Sequence, residues 1–171
     1  AATSAAATVD CQADAVAPLA LPVIEDACGN ILVPAAPIVG GTFDGCEGTV
    51  TYTYNYVDCA LNPFVWVYTQ TVDLTTMPTE VGGPVATSAA ATVDCQVDAV
   101  APLVLPVIED ACGNILVPAA PVVGGTFDGC EGTVTYTYNY VDCALNPFVW
   151  VYTQTVDLTT APTEVGGPVA T

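Results

Sequence analysis

A chain of 171 residues with 18 acidic side chains and no Lys, Arg or His can form no ion pair between its own side chains. Phosphate recognition depends on Lys and Arg, so nucleic acid is excluded as a partner and docking on anionic lipid is disfavoured. No amine is present for a Lys–Asn isopeptide cross-link either, yet 53% hydrophobic against 11% charged residues predicts a folded chain.

The sequence states one unit twice. Thr3–Ala86 and Thr87–Ala170 differ only as Ala13/Val97, Ala20/Val104, Ile38/Val122 and Met77/Ala161, all apolar exchanges. Two small domains are expected, residues 1–83 and 84–168, with 169–171 opening a further repeat because Val169-Ala170-Thr171 matches Val85-Ala86-Thr87. Export and anchoring signals are expected outside this sequence, which has no run of 18 apolar residues.

Within a copy, Ala5–Cys11 reads as a first strand from its alternating Ala7 and Val9. Leu19–Asp26 reads as a second, edge-like strand because it carries Pro22. Ala27-Cys28-Gly29-Asn30 is a turn, and Ile31–Val39 is extended but broken by Pro34 and Pro37. Gly40-Gly41 and Asp44-Gly45 then re-aim the chain. The clearest signal follows: Thr49–Asp58 and Phe64–Leu74 alternate β-branched with aromatic residues, around a turn at Asp58–Pro63. Val50, Tyr52, Tyr54 and Tyr56 oppose Phe64, Trp66, Tyr68, Gln70, Val72 and Leu74, so one aromatic face should cover the core and a Thr-rich face meet water. Phe64 and Trp66 are assigned to the core. Pro78–Pro84 separates the copies, with the boundary near Gly83. No helical period is visible, and the whole reads as all-β: two tandem Ig-like β-sandwich repeats, head to tail.

Each copy holds four cysteines, Cys11, Cys28, Cys46 and Cys59, then Cys95, Cys112, Cys130 and Cys143. Without histidine or a C-x-x-C pair zinc is disfavoured, and a disulfide framework made outside the cytoplasm is expected. In an Ig-like topology the first strand ends at the pole where the hairpin begins, and the second strand ends beside the hairpin turn. Cys11 would then face Cys46 and Cys28 would face Cys59, repeated as Cys95–Cys130 and Cys112–Cys143, two disulfides per repeat. Cys46–Cys59 is excluded, because thirteen extended residues span roughly 40 Å and bridged Cα atoms lie within about 7 Å.

These residues resemble a known family. The string TVDCQADAVAP…PVIEDACGN…DGCEGTVTYTYNYVDCALNPFVWVYTQTVDL is similar to four-cysteine hyalin-repeat-like (HYR-like) domains, which stand in arrays in giant cell-surface adhesins of Bacteroidota, the gliding-motility SprB type among them. Its marks are the turn Asp26–Asn30, the run Cys46–Tyr54 and the turn Asp58-Cys59. The resemblance implies an Ig-like sandwich, type IX secretion and a place in a surface fibre outside the outer membrane. Ala60-Leu61-Asn62-Pro63 departs from the Gly-Asn that the family favours in the hairpin turn.

Catalytic chemistry has little to use. There is no imidazole or amine, Ser4 and Ser88 lie in an Ala-rich strand, and the adjacent acids Glu25 and Asp26 point to opposite faces. No enzyme is expected, and no cofactor other than calcium. Asp26, Asn30 and Asp58 gather at the hairpin-turn pole with Asn62, while Asp44 and Glu47 share the other with Asp10 and Asp14. In a head-to-tail chain the second pole of copy one approaches Asp110, Asn114, Asp142 and Asn146 of copy two, offering hard oxygens to Ca²⁺. Asp and Asn are equally ordinary turn residues. The functional reading is a spacer repeat of a secreted surface adhesin or filament, whose partners are neighbouring repeats. The alternatives are a multivalent module binding surface polysaccharide through exposed Tyr residues, and a self-assembling filament or sheath subunit, including exchange of the strand Ala89–Cys95.

Overall fold

The computed structural model describes residues 2–82 and 92–167, residues 2–7 by their backbone alone. The contacts divide the chain into two compact units. Unit 1 is Ala1–Met77 with Asp110–Asn114 and Asp142–Asn146; unit 2 is Pro78–Glu109, Ile115–Val141 and Pro147–Thr171. Each unit therefore contains pieces of both copies.

In unit 1 the strands are β1 (Ala2–Val9), β2 (Ile24–Glu25), β3 (Ile31–Leu32), β4 (Ile38–Gly41), β5 (Gly48–Val57) and β6 (Pro63–Val72). One sheet has the order β1-β6-β5-β4, and β2 pairs β3 in a second. The long β5–β6 hairpin is fully in register from Gly48↔Val72 to Val57↔Pro63, which places Tyr52 opposite Tyr68, Tyr54 opposite Trp66 and Tyr56 opposite Phe64. Their ring centroids lie 6.5, 5.6 and 6.1 Å apart, in the range where aromatic pairs attract. β1 runs parallel to β6, from Ala2↔Trp66 to Val9↔Val72, with a register shift between Ala5 and Thr8.

The aromatic face of the hairpin covers the core as its alternation requires. Tyr54, Tyr56 and Trp66 are buried and packed by Ile24, Leu32 and Phe64, which join the two sheets. A second cluster is built from Ala15, Val50 and Val72. Buried Gln70 donates to the Val16 carbonyl, and Tyr52 donates to the Ala15 carbonyl at 2.7 Å, so the polar atoms on this face tie the loop after β1 onto the hairpin.

Copy two repeats this plan in unit 2 with β8 (Thr92–Val93), β9 (Ile108–Glu109), β10 (Ile115–Leu116), β11 (Val122–Gly125), β12 (Gly132–Val141) and β13 (Pro147–Val156). One element is added. The tail of copy one, β7 (Thr79–Glu80), pairs antiparallel with β9, giving a three-stranded sheet β10-β9-β7. Ile108 becomes fully buried beneath it, whereas the equivalent Ile24 stays half-buried. The period and the packing thus divide the chain at different places: the boundary expected at Gly83 lies outside the described residues, while the contacts change unit after Met77.

Three element boundaries differ from expectation. The first strand ends at Val9, and Gln12–Asp14 form a 3-10 turn that carries the chain past Cys11. The second strand shrinks from Leu19–Asp26 to Ile24–Glu25, because Pro18 and Pro22 cannot donate to a ladder. Ile31–Val39 is split into β3 and β4 around Pro34 and Pro37. Ser88 and the first three residues of Ala89–Cys95 lie outside the described residues, as do 169–171. No α-helix occurs among the described residues, and none is long and apolar enough to cross a membrane.

Candidate functional site: two cystines within unit 1

The cysteines overturn the expected pairing. Cys11 is bonded to Cys112 and Cys46 to Cys143, with Cα atoms 5.5 and 5.7 Å apart. Cys11–Cys46 and Cys112–Cys143 are therefore not formed, and Cys28, Cys59, Cys95 and Cys130 carry exposed free thiols rather than the pairs Cys28–Cys59 and Cys95–Cys130. Nor does each repeat hold two disulfides; the two bonds both join copy one to copy two. Cys11 and Cys46 do line one cavity. Their mates, however, come from turns of the following copy, and an argument confined to one repeat cannot see them.

Those two turns share one design. In Asp110–Asn114 and in Asp142–Asn146 an Asp opens the turn, an Asn closes it, and the residue before the Asn has positive φ: Gly113 at 80° and Leu145 at 67°. Asp110 Oδ1 accepts the N–H groups of Cys112 and Asn114 at 2.9 Å each, and Oδ2 accepts the Asn114 side-chain amide at 2.8 Å. Asp142 likewise takes the Asn146 N–H at 2.8 Å and its side-chain amide at 2.9 Å. The Asp side chain mimics a turn of backbone and holds the cysteine on a fixed loop. Both aspartates are buried, at 7% and 5% exposure. The Asn146 amide also donates to the Leu74 carbonyl at 2.8 Å.

The receiving surface comes from copy one. Asp10 collects the Thr75 N–H at 2.9 Å and the Thr76 hydroxyl at 2.6 Å, tying the end of β1 to the segment after β6. Donation by the Thr76 hydroxyl and then the Thr75 N–H holds the Asp10 carboxyl below the usual carboxylate range. Asp44 accepts the N–H groups of Cys46 and Glu47 at 2.9 and 3.0 Å, and these backbone bonds, that from Glu47 foremost, lower its pKa. Cys11 and Leu74 are buried between these fixed points, and Asp10, Cys11, Cys46, Leu74, Cys112 and Cys143 line one shared cavity.

The calcium candidates fall into two groups. Asp110, Asn114 and Asp142 lie in unit 1, beside Asn146. Asp26, Asn30 and Asp58 form the equivalent turns of copy one, and the side-chain amides of Asn30 and Asn62 hold Asp26 and Asp58 below their ordinary pKa. Asp44 stays on its own loop with Glu47. Both carboxylate oxygens of Asp26, Asp58, Asp110 and Asp142 accept N–H donors, and Asp44 accepts two through Oδ1. Among the described residues no group of three or more His, Cys, Asp or Glu side chains is arranged to hold a metal ion. The aromatic ladder proposed as a glycan surface lies largely inside: Tyr54, Tyr56 and Trp66 are buried.

The signal missed in the sequence is that Asp26–Asn30 and Asp58–Asn62 are one turn written twice, Asp-x-x-Gly-Asn and Asp-x-x-Leu-Asn, with a cysteine inside each. Two like turns presenting two thiols are a plug, and only the copy index remained to be found. Compared with known proteins, the chain matches the model of the HYR-like domain with 4 cysteines over residues 1–72 and again over 84–156. No curated protein matches it.

Proposed function

Because the chain belongs to the family of HYR-like domains with 4 cysteines, an extracellular type of repeat module, we propose that it is a structural repeat of a secreted surface adhesin or filament, whose copies are locked in series by covalent bonds. The observation that carries this reading is the pair of disulfides joining Cys11 to Cys112 and Cys46 to Cys143. A binding site needs one constellation, but a spacer under tension needs each copy fastened to the next. Each bond closes about a hundred residues, worth about 4.7 kcal/mol for the first loop in the chain-entropy model. Unpaired acidity on every copy keeps neighbouring fibres apart over a Debye length of about 8 Å at physiological salt. Secretion by the type IX route, and a part in adhesion or gliding motility, are the settings this proposal favours.

Pulling a single molecule by its termini tests it. With both bonds intact the shortest covalent path skips most of the chain, running through residues 1–11 and 112–171, so full extension stops at about 250 Å at ~3.6 Å per residue. The reduced chain should reach about 610 Å. Bonds confined within each copy would instead allow about 360 Å, and an oxidised chain that reaches that length refutes the proposal.

A further inference from the structure

The chain contains the same joint in two states. In unit 1 the socket of copy one is filled: Cys11 and Cys46 are bonded, and Leu74 is 3% exposed. In unit 2 the socket of copy two is built alike and open. Asp94 takes the Thr159 N–H at 3.0 Å and the hydroxyls of Thr159 and Thr160, as Asp10 takes those of Thr75 and Thr76. Asp128 accepts Cys130 and Glu131 as Asp44 accepts Cys46 and Glu47. Cys95 keeps the backbone of Cys11, φ −121° and ψ 144° against −117° and 144°. Yet Cys95 and Cys130 are free and exposed, and Leu158 is 57% exposed.

The plug is preformed too. Asp26 holds the N–H groups of Cys28 and Asn30 at 2.9 Å each and the Asn30 side-chain amide at 2.8 Å, the same distances as at Asp110. Asp58 repeats the turn at Ala60 and Asn62. Cys28 and Cys59 stand free on these turns. A third, separate feature agrees. Thr79–Glu80 form a strand against Ile108–Glu109, but their counterparts Thr163–Glu164 are exposed and not in a strand, while among the described residues Ile24–Glu25 pair only with β3.

We infer that Cys95 and Cys130 form a receptor for the Cys28 and Cys59 turns of another copy of this repeat, bonded Cys95–Cys28 and Cys130–Cys59, with Thr163–Glu164 adding as a strand beside Ile24–Glu25. The inference rests on the proposed covalent series and extends it to both open ends. The occupant is this repeat because the filled joint shows what the socket accepts. Such a contact is heterologous and leaves a fresh socket after each addition, so it propagates without closing. Bond formation needs an oxidant, here a glutathione-type disulfide. The Cys95 thiolate displaces one glutathione thiolate to give a mixed disulfide, and the Cys28 thiolate displaces the second, leaving one cystine and two reduced glutathiones. Cys130 and Cys59 react alike.

The following copy can belong to the same polypeptide or to another, and two arms separate these sources. The 171-residue chain, oxidised with glutathione disulfide at high concentration and moderate salt, should give a non-reducing ladder in steps of 17.4 kDa. Peptide mapping should find Cys95–Cys28 and Cys130–Cys59, and amide exchange at Thr163–Val165 should slow. The C28S/C59S double variant should keep Cys11–Cys112 and Cys46–Cys143 and give no ladder. Two chains fused in tandem should form the same bonds internally and retain only the four free thiols of one chain. A monomer with four titratable thiols, or closure as Cys28–Cys59 and Cys95–Cys130, overturns the inference while leaving the internal joint intact. Mapping of Cys11–Cys46 in the starting protein would overturn the covalent series itself.

Discussion

Leu74 and Leu158 are the same residue of the repeat in two environments: 3% exposed in the first copy and 57% exposed in the second. Leu74 lies in the cavity that Cys112 and Cys143 close, and its carbonyl receives the Asn146 amide. The difference isolates what the filled joint contributes beyond its covalent bonds. Leu74→Ala should destabilise by about 2–3 kcal/mol, as large-to-small changes at buried leucines do. Leu158→Ala should fall within about 0.5 kcal/mol of the parent. Thermal denaturation of the two variants, oxidised and at equal concentration, makes the comparison. Equal losses would show that the joint buries no apolar surface of consequence.

Asp10 fastens the end of β1 to Thr75 and Thr76, and the donors it gathers lower its pKa. A carboxyl with a depressed folded pKa adds stability above its unfolded pKa, ordinarily 3.8, and loses it as pH falls through the folded value. The gap in melting temperature between the parent and Asp10→Ala should therefore be constant near neutrality. It should narrow only below about pH 4. Melts of both proteins from pH 7 to pH 2 test the sign, since the falling net charge acts on both alike. A gap that widens in acid would contradict it.

Much of this was legible because the signals were local. Alternation from Val50 to Val72 gave the long hairpin and its buried face, since period two along a strand has one structural meaning. Pro22 marked the weak strand but not how short it would be, as β2 is set by its pairing with β3 and not by propensity. The wrong cysteine partners have another origin. Two near-identical copies make Cys28 and Cys112 indistinguishable by spacing, so a rule based on poles yields the place and leaves the copy open. The added strand β7 was equally invisible, because Thr79–Glu80 acquires its partner Ile108–Glu109 only by tertiary contact.

Gly41 is a backbone requirement that the sequence showed only as Gly40-Gly41. Its φ is 133°, and a Cβ there would sit 1.9 Å from the Thr49 carbonyl oxygen, where β4 meets the start of β5. No flexible side chain can yield, so the strand pair itself would have to part. Gly41→Ala should destabilise by at least about 3 kcal/mol. Gly45→Ala, with open space around its Cβ, carries only the strain of its positive φ and should lose less. Urea denaturation of the pair gives the ranking, and a reversed order would show that the close approach at Thr49 does not constrain the strand.

Calcium has a direct test. With both oxygens of Asp26 and of Asp58 accepting N–H donors, the turns are complete without an ion. Melting temperatures in calcium and in chelator should coincide once ionic strength is matched, because screening of the −18 net charge raises stability with any salt. An increase specific to calcium over magnesium would show that the turns reorganise to bind it.

Leu61 occupies the position that Gly29 fills in the sister turn, φ 65° against 84°. The left-handed conformation costs a leucine roughly 1–2 kcal/mol, and glycine almost nothing. Leu61 is 80% exposed, so its side chain offers little burial to offset that strain. What restrains the turn is Asp58, through Ala60 and Asn62. Replacing Leu61 by Gly removes the strain but raises the entropy of the unfolded chain by roughly 0.5–1 kcal/mol. The net should be a gain of about 0.5–1 kcal/mol, read as a higher melting temperature. Gly29→Leu should move it the other way by a similar amount. Leu145→Gly, in the turn bonded through Cys143, should also stabilise, because Leu145 is 78% exposed and has the same φ region. If Leu61→Gly lowers stability, leucine at this turn is held by contacts stronger than its strain, and Asp-x-x-Gly-Asn and Asp-x-x-Leu-Asn are not equivalent plugs.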